Sequence, residues 1–217
     1  MAGVTVPAGY HAARLPADAR RDVLWQALWR YYFSRLVQPG DCVLDLGAGY
    51  GNFINAVVAR RRIAVDAWPG FLEHLAPGVE GHVTPVTDLD AIEDGSVDFA
   101  FASNLFEHLT QADLLTTLDE LSRKLTPAGT ITIVQPNYRY AYREYFDDFD
   151  HKAVYSHISL PDLLATQGWE VFHVAPRFMP LTVKSGLPVH PWLIRLWLAS
   201  PYKFQGKQML VRAWRKG

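Results

Sequence analysis

Two periods of apolar positions run along this chain. Six short apolar segments, with few polar interruptions, predict buried strands: residues 42–46, 63–66, 97–103, 130–135, 169–175 and 208–214. Longer stretches with apolar residues three or four positions apart predict helices: residues 51–60, 69–75, 111–125 and 159–167. Strands that alternate with helices indicate an α/β fold, in which helices cover both faces of a parallel sheet.

A further helix is predicted before the first strand. Leu24, Leu28, Tyr32 and Leu36 lie four positions apart, which places them on one helix face, and Pro39-Gly40 supplies a stop signal. We expect residues 18–38 to form an N-terminal lid helix.

Composition favours a single globular domain over residues 1–217. Apolar residues make up 49% of the chain and charged residues 20%, and the sequence has no internal repeat and no Gly/Ser linker. Cys42 is the only cysteine, which excludes a disulfide framework and a cysteine-based metal site. Neither a secretory h-region nor a membrane-spanning apolar stretch is present, so we expect a cytoplasmic protein.

Charge is unevenly distributed although the net charge is only −1. Residues 171–217 contain eight Lys or Arg and no acid, whereas residues 1–170 contain thirteen bases and 22 acids. This asymmetry indicates either a contact with an anionic partner or a solvated basic surface.

A glycine-rich turn follows the first strand in VLDLGAGYGNF, with Gly47, Gly49 and Gly51 two positions apart. The dinucleotide fingerprint needs its third glycine at position 52, which is Asn, and a P-loop needs a lysine that is absent here. Asp45 would repel a pyrophosphate but would suit a cation, such as the sulfonium and ammonium of S-adenosylmethionine. A plain tight turn is the alternative.

A second acid, Asp66, ends the next predicted strand. A carboxylate there could accept hydrogen bonds from a ribose diol. The alternative is that Asp66 caps the helix that starts near Pro69.

These segments resemble the motifs of class I S-adenosylmethionine-dependent methyltransferases. VLDLGAGYG resembles their first motif, IAVD their second acid, residues 86–109 the stretch through the fourth strand, and LTPAGTITIVQPN the turn and fifth strand. The resemblance implies a single-domain Rossmann-like fold with a mostly parallel seven-stranded sheet whose last strand is antiparallel. It also implies S-adenosylmethionine as cofactor and S-adenosylhomocysteine as product.

The same resemblance implies the cofactor contacts. Asp45 and Gly47 would lie near the methionine part, Gly49 and Gly51 against the nucleoside, and Asp66 on the ribose. Asp88 and Leu89 would flank the adenine, with Asp90 as an alternative register for the acid. Asn104, just after the fourth strand, would line the methionine end.

The whole chain also resembles a bacterial methyltransferase subgroup associated with polysaccharide and secondary-metabolite genes. The resemblance lies in ASNLFEHL, QPNYRY, YFDDFDH, RFMPLTVKSGLP and GKQMLV. It does not identify a substrate.

Candidates for catalysis follow the fourth and fifth strands. His108 and His151 are candidate bases, since neutral imidazole is available near pH 7, although His108 could simply pack at a helix start. The candidate substrate contacts are Glu107, Tyr138, Tyr142, Tyr145 and His157. Most lie in an acceptor-loop insertion, residues 137–158. Asp147, Asp150 and His151 could in principle bind a divalent metal, but solvated carboxylates are the simpler interpretation, so we expect no metal site.

The predicted function is methylation of a small molecule or saccharide, most simply on oxygen, and we expect no nucleic-acid partner. The alternatives are an RNA methyltransferase that uses the basic tail and a non-catalytic S-adenosyl-binding protein. A second insertion, residues 176–206, is apolar and basic. It would either roof the acceptor pocket or make peripheral contact with an anionic membrane at its inner face. The sequence leaves the oligomeric state open.

Overall fold

A computed structural model describes residues 18–179 and 189–216 of the chain. Its seven strands form one sheet in the order β3-β2-β1-β4-β5-β7-β6. The strands are β1 (Cys42–Leu46), β2 (Arg61–Asp66), β3 (Val79–Val83), β4 (Val97–Ser103), β5 (Leu125–Pro136), β6 (Trp169–Met179) and β7 (Gln208–Arg215). Strands β1 to β5 pair in parallel, and β7 is antiparallel to both β5 and β6. The predicted fold class, including the antiparallel last strand, is confirmed.

Strand β3 has no counterpart among the six predicted segments. Its sequence, VEGHV, carries Glu, Gly and His between its valines, and the strand lies at the sheet edge with partly exposed residues throughout. An edge strand packs on few neighbours, so it leaves little hydrophobic signal in the sequence.

The central strand β1 is buried over its whole length. Its alternate residues enter two separate cores, Leu44 and Leu46 on one face of the sheet and Val43 on the other. This arrangement explains the continuous apolar run, because helices cover both faces.

Six helices within the described part of the chain surround the sheet. They are α1 (Ala19–Tyr31), α2 (Asn52–Ala56), α3 (Gln111–Lys124), α4 (Tyr138–Ala141), α5 (Ser159–Thr166) and α6 (Pro191–Ala199), together with short 3-10 helices at Phe33–Arg35, Pro69–His74, Phe106–His108 and Tyr145–Asp147. The predicted helices at 111–125 and 159–167 are confirmed within one residue at each end.

Two predicted helices are shorter or tighter than expected. The helix predicted over 51–60 ends at Ala56, where Val57 is already extended. Asn55 binds across to the next loop, accepting from the Ala76 amide and donating to the His74 carbonyl, both at 2.8 Å. The stretch predicted as a helix at 69–75 forms a 3-10 helix.

Helix α1 begins at the predicted place and ends early. Asp18 accepts a hydrogen bond from the Arg20 amide at 2.9 Å and so caps the helix. Leu24, Ala27 and Leu28 are buried, and after Tyr31 the chain continues in a 3-10 helix instead of the single helix predicted to residue 38.

The parallel strands place several polar side chains at one sheet edge. The carboxyl ends of β2, β1, β4 and β5 lie side by side, and Asp66, Ser103 and Gln135 occupy these ends. In open α/β sheets this edge holds the ligand, at the point where the strand order reverses. Among the described residues, no helix has the length and apolar character needed to cross a membrane.

Candidate active site

The glycine turn after β1 depends on backbone conformations that favour glycine. Gly47, Gly49 and Gly51 have φ values of 67°, 54° and 67°. A Cβ at Gly47 would lie 2.9 Å from Leu105 Cδ1, whereas a Cβ at Gly49 would have no described atom within 4 Å. The turn therefore packs closely against the end of β4 and leaves open space beside Gly49.

Asp45 is a buried acid at the base of this turn, with 3% of its surface exposed. Burial raises the pKa of its carboxyl well above the ordinary value, and the neighbouring charge of Asp66 raises it further, while a hydrogen bond from the Ile54 amide opposes the shift. Burial thus disfavours the charged form of this carboxylate, which fits a ligand that brings positive charge. The residues of this site thus fit the sulfonium and ammonium of S-adenosylmethionine.

Asp66 connects two turns through both of its carboxylate oxygens. Oδ2 accepts from the Gly49 amide at 2.8 Å, and Oδ1 accepts from the Trp68 amide at 2.8 Å. The bond to Trp68 is the helix-start contact that the alternative interpretation predicted. A carboxylate oxygen can accept more than one hydrogen bond, so these two bonds do not conflict with the ribose contact, which stays a prediction.

The other predicted cofactor residues differ in their surroundings. Asp88 is exposed, and its carboxylate accepts from the Asp90 amide at 3.2 Å. Leu89 is fully buried in a core cluster, and its amide donates to Glu120, so its side chain is not free to flank an adenine. Asn104 is exposed, adopts a φ of 50°, and accepts from Gln208 Nε2 at 2.7 Å.

Sequence reasoning missed an aromatic group beside the glycine turn. The Tyr50 ring centroid lies 5.2 Å from that of Trp68 and 4.7 Å from that of His74. Trp68 is also the residue whose amide binds Asp66, so these rings stand next to the predicted ribose position. An aromatic residue inside a glycine-rich turn, where small residues prevail, was the available signal.

The predicted acceptor end lies where two loops meet. Glu107 and His108 lie in the 3-10 helix after β4, and the amides of Lys152 and Ala153 donate to the Glu107 carbonyl at 2.8 and 3.1 Å. These bonds hold the loop that follows β5 against β4. As a result the His108 and His151 ring centroids lie 4.8 Å apart.

The buried groups of this cluster have shifted pKa values. Burial raises the pKa of Glu107 to about 8, and the charge of Asp148 contributes in the same direction. Burial lowers the pKa of His108, although Asp148 and Asp150 oppose the shift. The pKa of Tyr145 is raised by burial and by Glu107. Desolvation is thus the main influence on each of these groups.

Only some of the predicted acceptor residues join this cluster. Tyr145 is buried beside His151, with ring centroids 4.5 Å apart, and Tyr138 packs on Tyr145 at 5.2 Å. His157 Nδ1 instead lies 2.9 Å from the side-chain Nδ2 of Asn137, and its ring stacks on Tyr140. Tyr142 is 54% exposed.

Several Lys and Arg side chains of the C-terminal region bind other groups of the same chain. Arg177 donates to the Phe204 carbonyl at 2.7 Å, Lys203 donates to the Trp197 carbonyl at 2.8 Å, and Lys207 pairs with Glu144 at 2.7 Å. Helix α6 exposes apolar side chains, Trp192, Leu193 and Leu196. Residues 180–188, which belong to the predicted insertion, lie outside the described residues.

Comparison with known proteins agrees with this geometry. Residues 44–133 match the family model described as a methyltransferase domain. The matched segment contains the glycine turn, Asp66 and the cluster residues Glu107 and His108. No curated protein matches the chain.

Solved methyltransferase structures share the fold. An S-adenosylmethionine-dependent methyltransferase from Archaeoglobus fulgidus superposes with a TM-score of 0.67 at 20% identity, covering 89% of this chain and 93% of that one. The Haloferax volcanii chain solved with the Trm112 methyltransferase activator gives 0.66 at 20% identity, covering 92% and 95%. A Mesorhizobium loti S-adenosylmethionine-dependent methyltransferase gives 0.63 at 15% identity, covering 86% and 97%.

The domain match covers residues 44–133, and the solved structures show that the chain shares the fold of S-adenosylmethionine-dependent methyltransferases. They give neither the acceptor nor the bacterial subgroup that the sequence resembles. The roles of the individual site residues also remain predictions.

Proposed function

We propose that this protein methylates a small molecule or saccharide on oxygen, using S-adenosylmethionine. The observation that carries the proposal is the buried Asp45 carboxylate beneath a glycine turn that leaves open space beside Gly49. A buried carboxylate next to open space is stabilised in its charged form when a cationic ligand enters. The order of strands places this opening at the edge where α/β sheets bind ligands.

The polypeptide would contribute mainly by positioning. S-adenosylmethionine, when bound, supplies a methyl carbon attached to a positively charged sulfur. The acceptor oxygen would bond to that carbon while the carbon–sulfur bond breaks and the sulfur leaves as a neutral thioether. Leu105 contacts the glycine turn, and the His108 amide donates to the Leu105 carbonyl, so the acceptor cluster is joined to the cofactor end. Alignment of donor and acceptor is worth up to roughly 7–11 kcal/mol of the barrier.

The acceptor's proton must also leave during methylation of a hydroxyl. His108 and His151 are the candidates to accept it, and Tyr138 and Tyr145 would supply aromatic surface for a ring or sugar. Replacing either histidine by Ala should lower turnover more than it lowers cofactor affinity.

Contacts of the basic tail favour a small acceptor over RNA. Nucleic-acid binding needs Lys and Arg side chains that are available to phosphates. Here Arg177 and Lys203 donate to backbone carbonyls and Lys207 pairs with a carboxylate. An RNA acceptor would instead be indicated by affinity that falls steeply with salt.

The cofactor assignment is tested by calorimetric titration with S-adenosylmethionine. Asp66→Ala should weaken binding by more than about tenfold, because a charge-assisted hydrogen bond to the ribose is lost. Asp98→Ala is the matched control, since Asp98 accepts from the Cys42 amide at 2.8 Å at the opposite end of the sheet. The control should lose stability and keep its affinity. An unchanged dissociation constant in Asp66→Ala would remove the ribose contact.

The acceptor is found by a screen. Nucleotide-sugars and phenolic compounds are incubated with the protein and cofactor, and mass spectrometry detects the gain of one CH₂ group. Cofactor binding without any methylated product across acceptor classes would support the non-catalytic alternative.

A further inference from the structure

Three potential metal ligands converge at the acceptor end. Glu107, His108 and His151 each offer one ligand atom, and these atoms all lie within 4.8 Å of one another. Two ligands on one zinc ion with bonds near 2.0–2.1 Å would lie about 3.3 Å apart, so modest side-chain rotations would close the set.

The Glu107 carboxylate is an unusual group to find buried. It is fully buried, and neither of its oxygens has a hydrogen-bond partner in any other described residue. Buried polar groups are normally satisfied, so each exception calls for an explanation such as a missing ion. Tyr145 lies nearby, but its hydroxyl donates to the Ala153 carbonyl at 2.6 Å instead of to this carboxylate.

His108 has the supporting contact that metal-binding histidines share. Its Nδ1 lies 3.2 Å from the Asp150 carbonyl and 3.4 Å from an Asp150 carboxylate oxygen. Metal-ligating histidines almost always donate their second ring nitrogen to such a carbonyl or carboxylate, which fixes the tautomer. A proton on Nδ1 leaves Nε2 as the electron-pair donor.

We propose that Glu107, His108 and His151 bind a zinc-like divalent metal ion. Two imidazoles and one carboxylate suit first-row transition metals, whereas Mg²⁺ and Ca²⁺ prefer all-oxygen sites. Three protein ligands leave a fourth position open, as in catalytic zinc sites. The sequence led us to expect no metal site, and this proposal replaces that expectation. In the structure His151 joins Glu107 and His108 and not the neighbouring acids Asp147 and Asp150.

The proposed function gives this ion a role. Only that role rests on the proposed function, and metal binding itself does not. A hydroxyl or vicinal diol of the acceptor could occupy the open position. A bound metal ion lowers the pKa of a coordinated hydroxyl and orients it. In the metal-bound protein the two histidines would therefore act as ligands in place of bases, and the acceptor proton would leave to solvent.

The test is a zinc titration of the untagged, metal-stripped chain against a chromogenic zinc indicator, without cofactor or acceptor. The wild type should bind one ion per chain. Glu107→Gln and His151→Ala should each weaken zinc binding by at least about 100-fold, and Asp150→Asn by about 10–100-fold. Cobalt substitution should give visible absorption bands that disappear in Glu107→Gln.

His82→Ala is the matched control. His82 Nε2 lies 2.7 Å from Glu80, so this pair offers an imidazole and a carboxylate on the edge strand, separate from the cluster. The control should bind zinc like the wild type. Failure of the wild type to bind one ion, or equal affinity in wild type and Glu107→Gln, overturns the proposal.

Folding of the variants is checked by circular dichroism. Glu107→Gln keeps the shape of the side chain, so it decides the question if His151→Ala fails to fold. Because the titration contains neither cofactor nor acceptor, a negative result leaves methyl transfer standing. Conversely, lack of methyl transfer would leave zinc binding standing.

Discussion

Asp45 and Glu107 are two buried carboxylates at the same sheet edge, and they are held in different ways. Asp45 lies in β1, within reach of the Ile54 amide and of a turn made by its own immediate sequence. Glu107 lies in a loop whose partners come from far along the chain, as the contact between His108 and Asp150 spans 42 positions. The cofactor end is therefore defined by local backbone, and the acceptor end by the meeting of two distant loops.

The largest effect is expected from Asp45→Asn at the cofactor end. Loss of the negative charge should weaken S-adenosylmethionine binding by about 10- to 100-fold, the value of a hydrogen bond to a charged group. Calorimetry measures the change. Unchanged affinity would show that Asp45 does not face the positive part of the cofactor.

The same variant should stabilise the ligand-free protein at neutral pH. The folded-state pKa of Asp45 is raised above 3.8, so its contribution to stability is present below that pH and is lost as pH rises toward the folded pKa. Asn has no proton to lose, so its stability should fall less over this range. Thermal melts at several pH values test the difference, and parallel curves for both proteins would contradict it.

Alanine substitutions at two glycines of the turn should separate effects on stability from effects on cofactor binding. Ala in the left-handed region costs about 1–2 kcal/mol at either position. Gly47→Ala adds a clash with Leu105, whereas Gly49→Ala places its methyl in open space. Urea unfolding should therefore show the larger loss for Gly47→Ala, and calorimetry should show lost cofactor affinity for Gly49→Ala at a smaller cost in stability.

A double variant sharpens this contrast. Leu105→Ala should recover part of the stability lost in Gly47→Ala, because it removes the clashing side chain. Strictly additive losses would mean that the conformation of Gly47, and not its contact, sets the cost.

A smaller effect is expected at the acceptor end. Tyr145→Phe removes the bond to the Ala153 carbonyl and should lower the free energy of unfolding by about 1 kcal/mol. Cofactor affinity should stay unchanged, because the loop lies beyond the glycine turn. Tyr142→Phe is the control, since Tyr142 is largely exposed. A loss of cofactor affinity in Tyr145→Phe would couple the two ends.

The smallest effect is expected from Lys207→Ala. Its partner Glu144 is about half exposed, as is Lys207 itself, so solvent and salt screen the pair. The free energy of unfolding should not change measurably. A clear loss would indicate that this pair anchors the acceptor loop to β7.

Sequence reasoning worked best where structure is local. The β1 segment, its glycines and the two acids that follow β1 and β2 could be located because strand, turn and acid are contiguous in the chain. It failed for β3, where edge position removes the hydrophobic pattern. The adenine contact of Leu89, which the resemblance implied, stays a prediction, and the Leu89 side chain lies in the core. Sequence reasoning also predicted Tyr142 and His157 as substrate contacts together with Tyr145, because proximity along the chain does not show which way each side chain faces.

The sequence by itself determined the α/β architecture and the glycine turn, because periodicity and backbone conformation are properties of short segments, while the antiparallel last strand was implied by the resemblance of its motifs to a known family. Only the tertiary structure decided that Glu107, His108 and His151 form one cluster, that Tyr50 stands beside Trp68, and that basic residues of the tail bind carbonyls of their own chain. Most of those contacts join residues well separated in the chain, such as Glu107 with His151 and Arg177 with Phe204, and their geometry depends on how the sheet brings loop ends together.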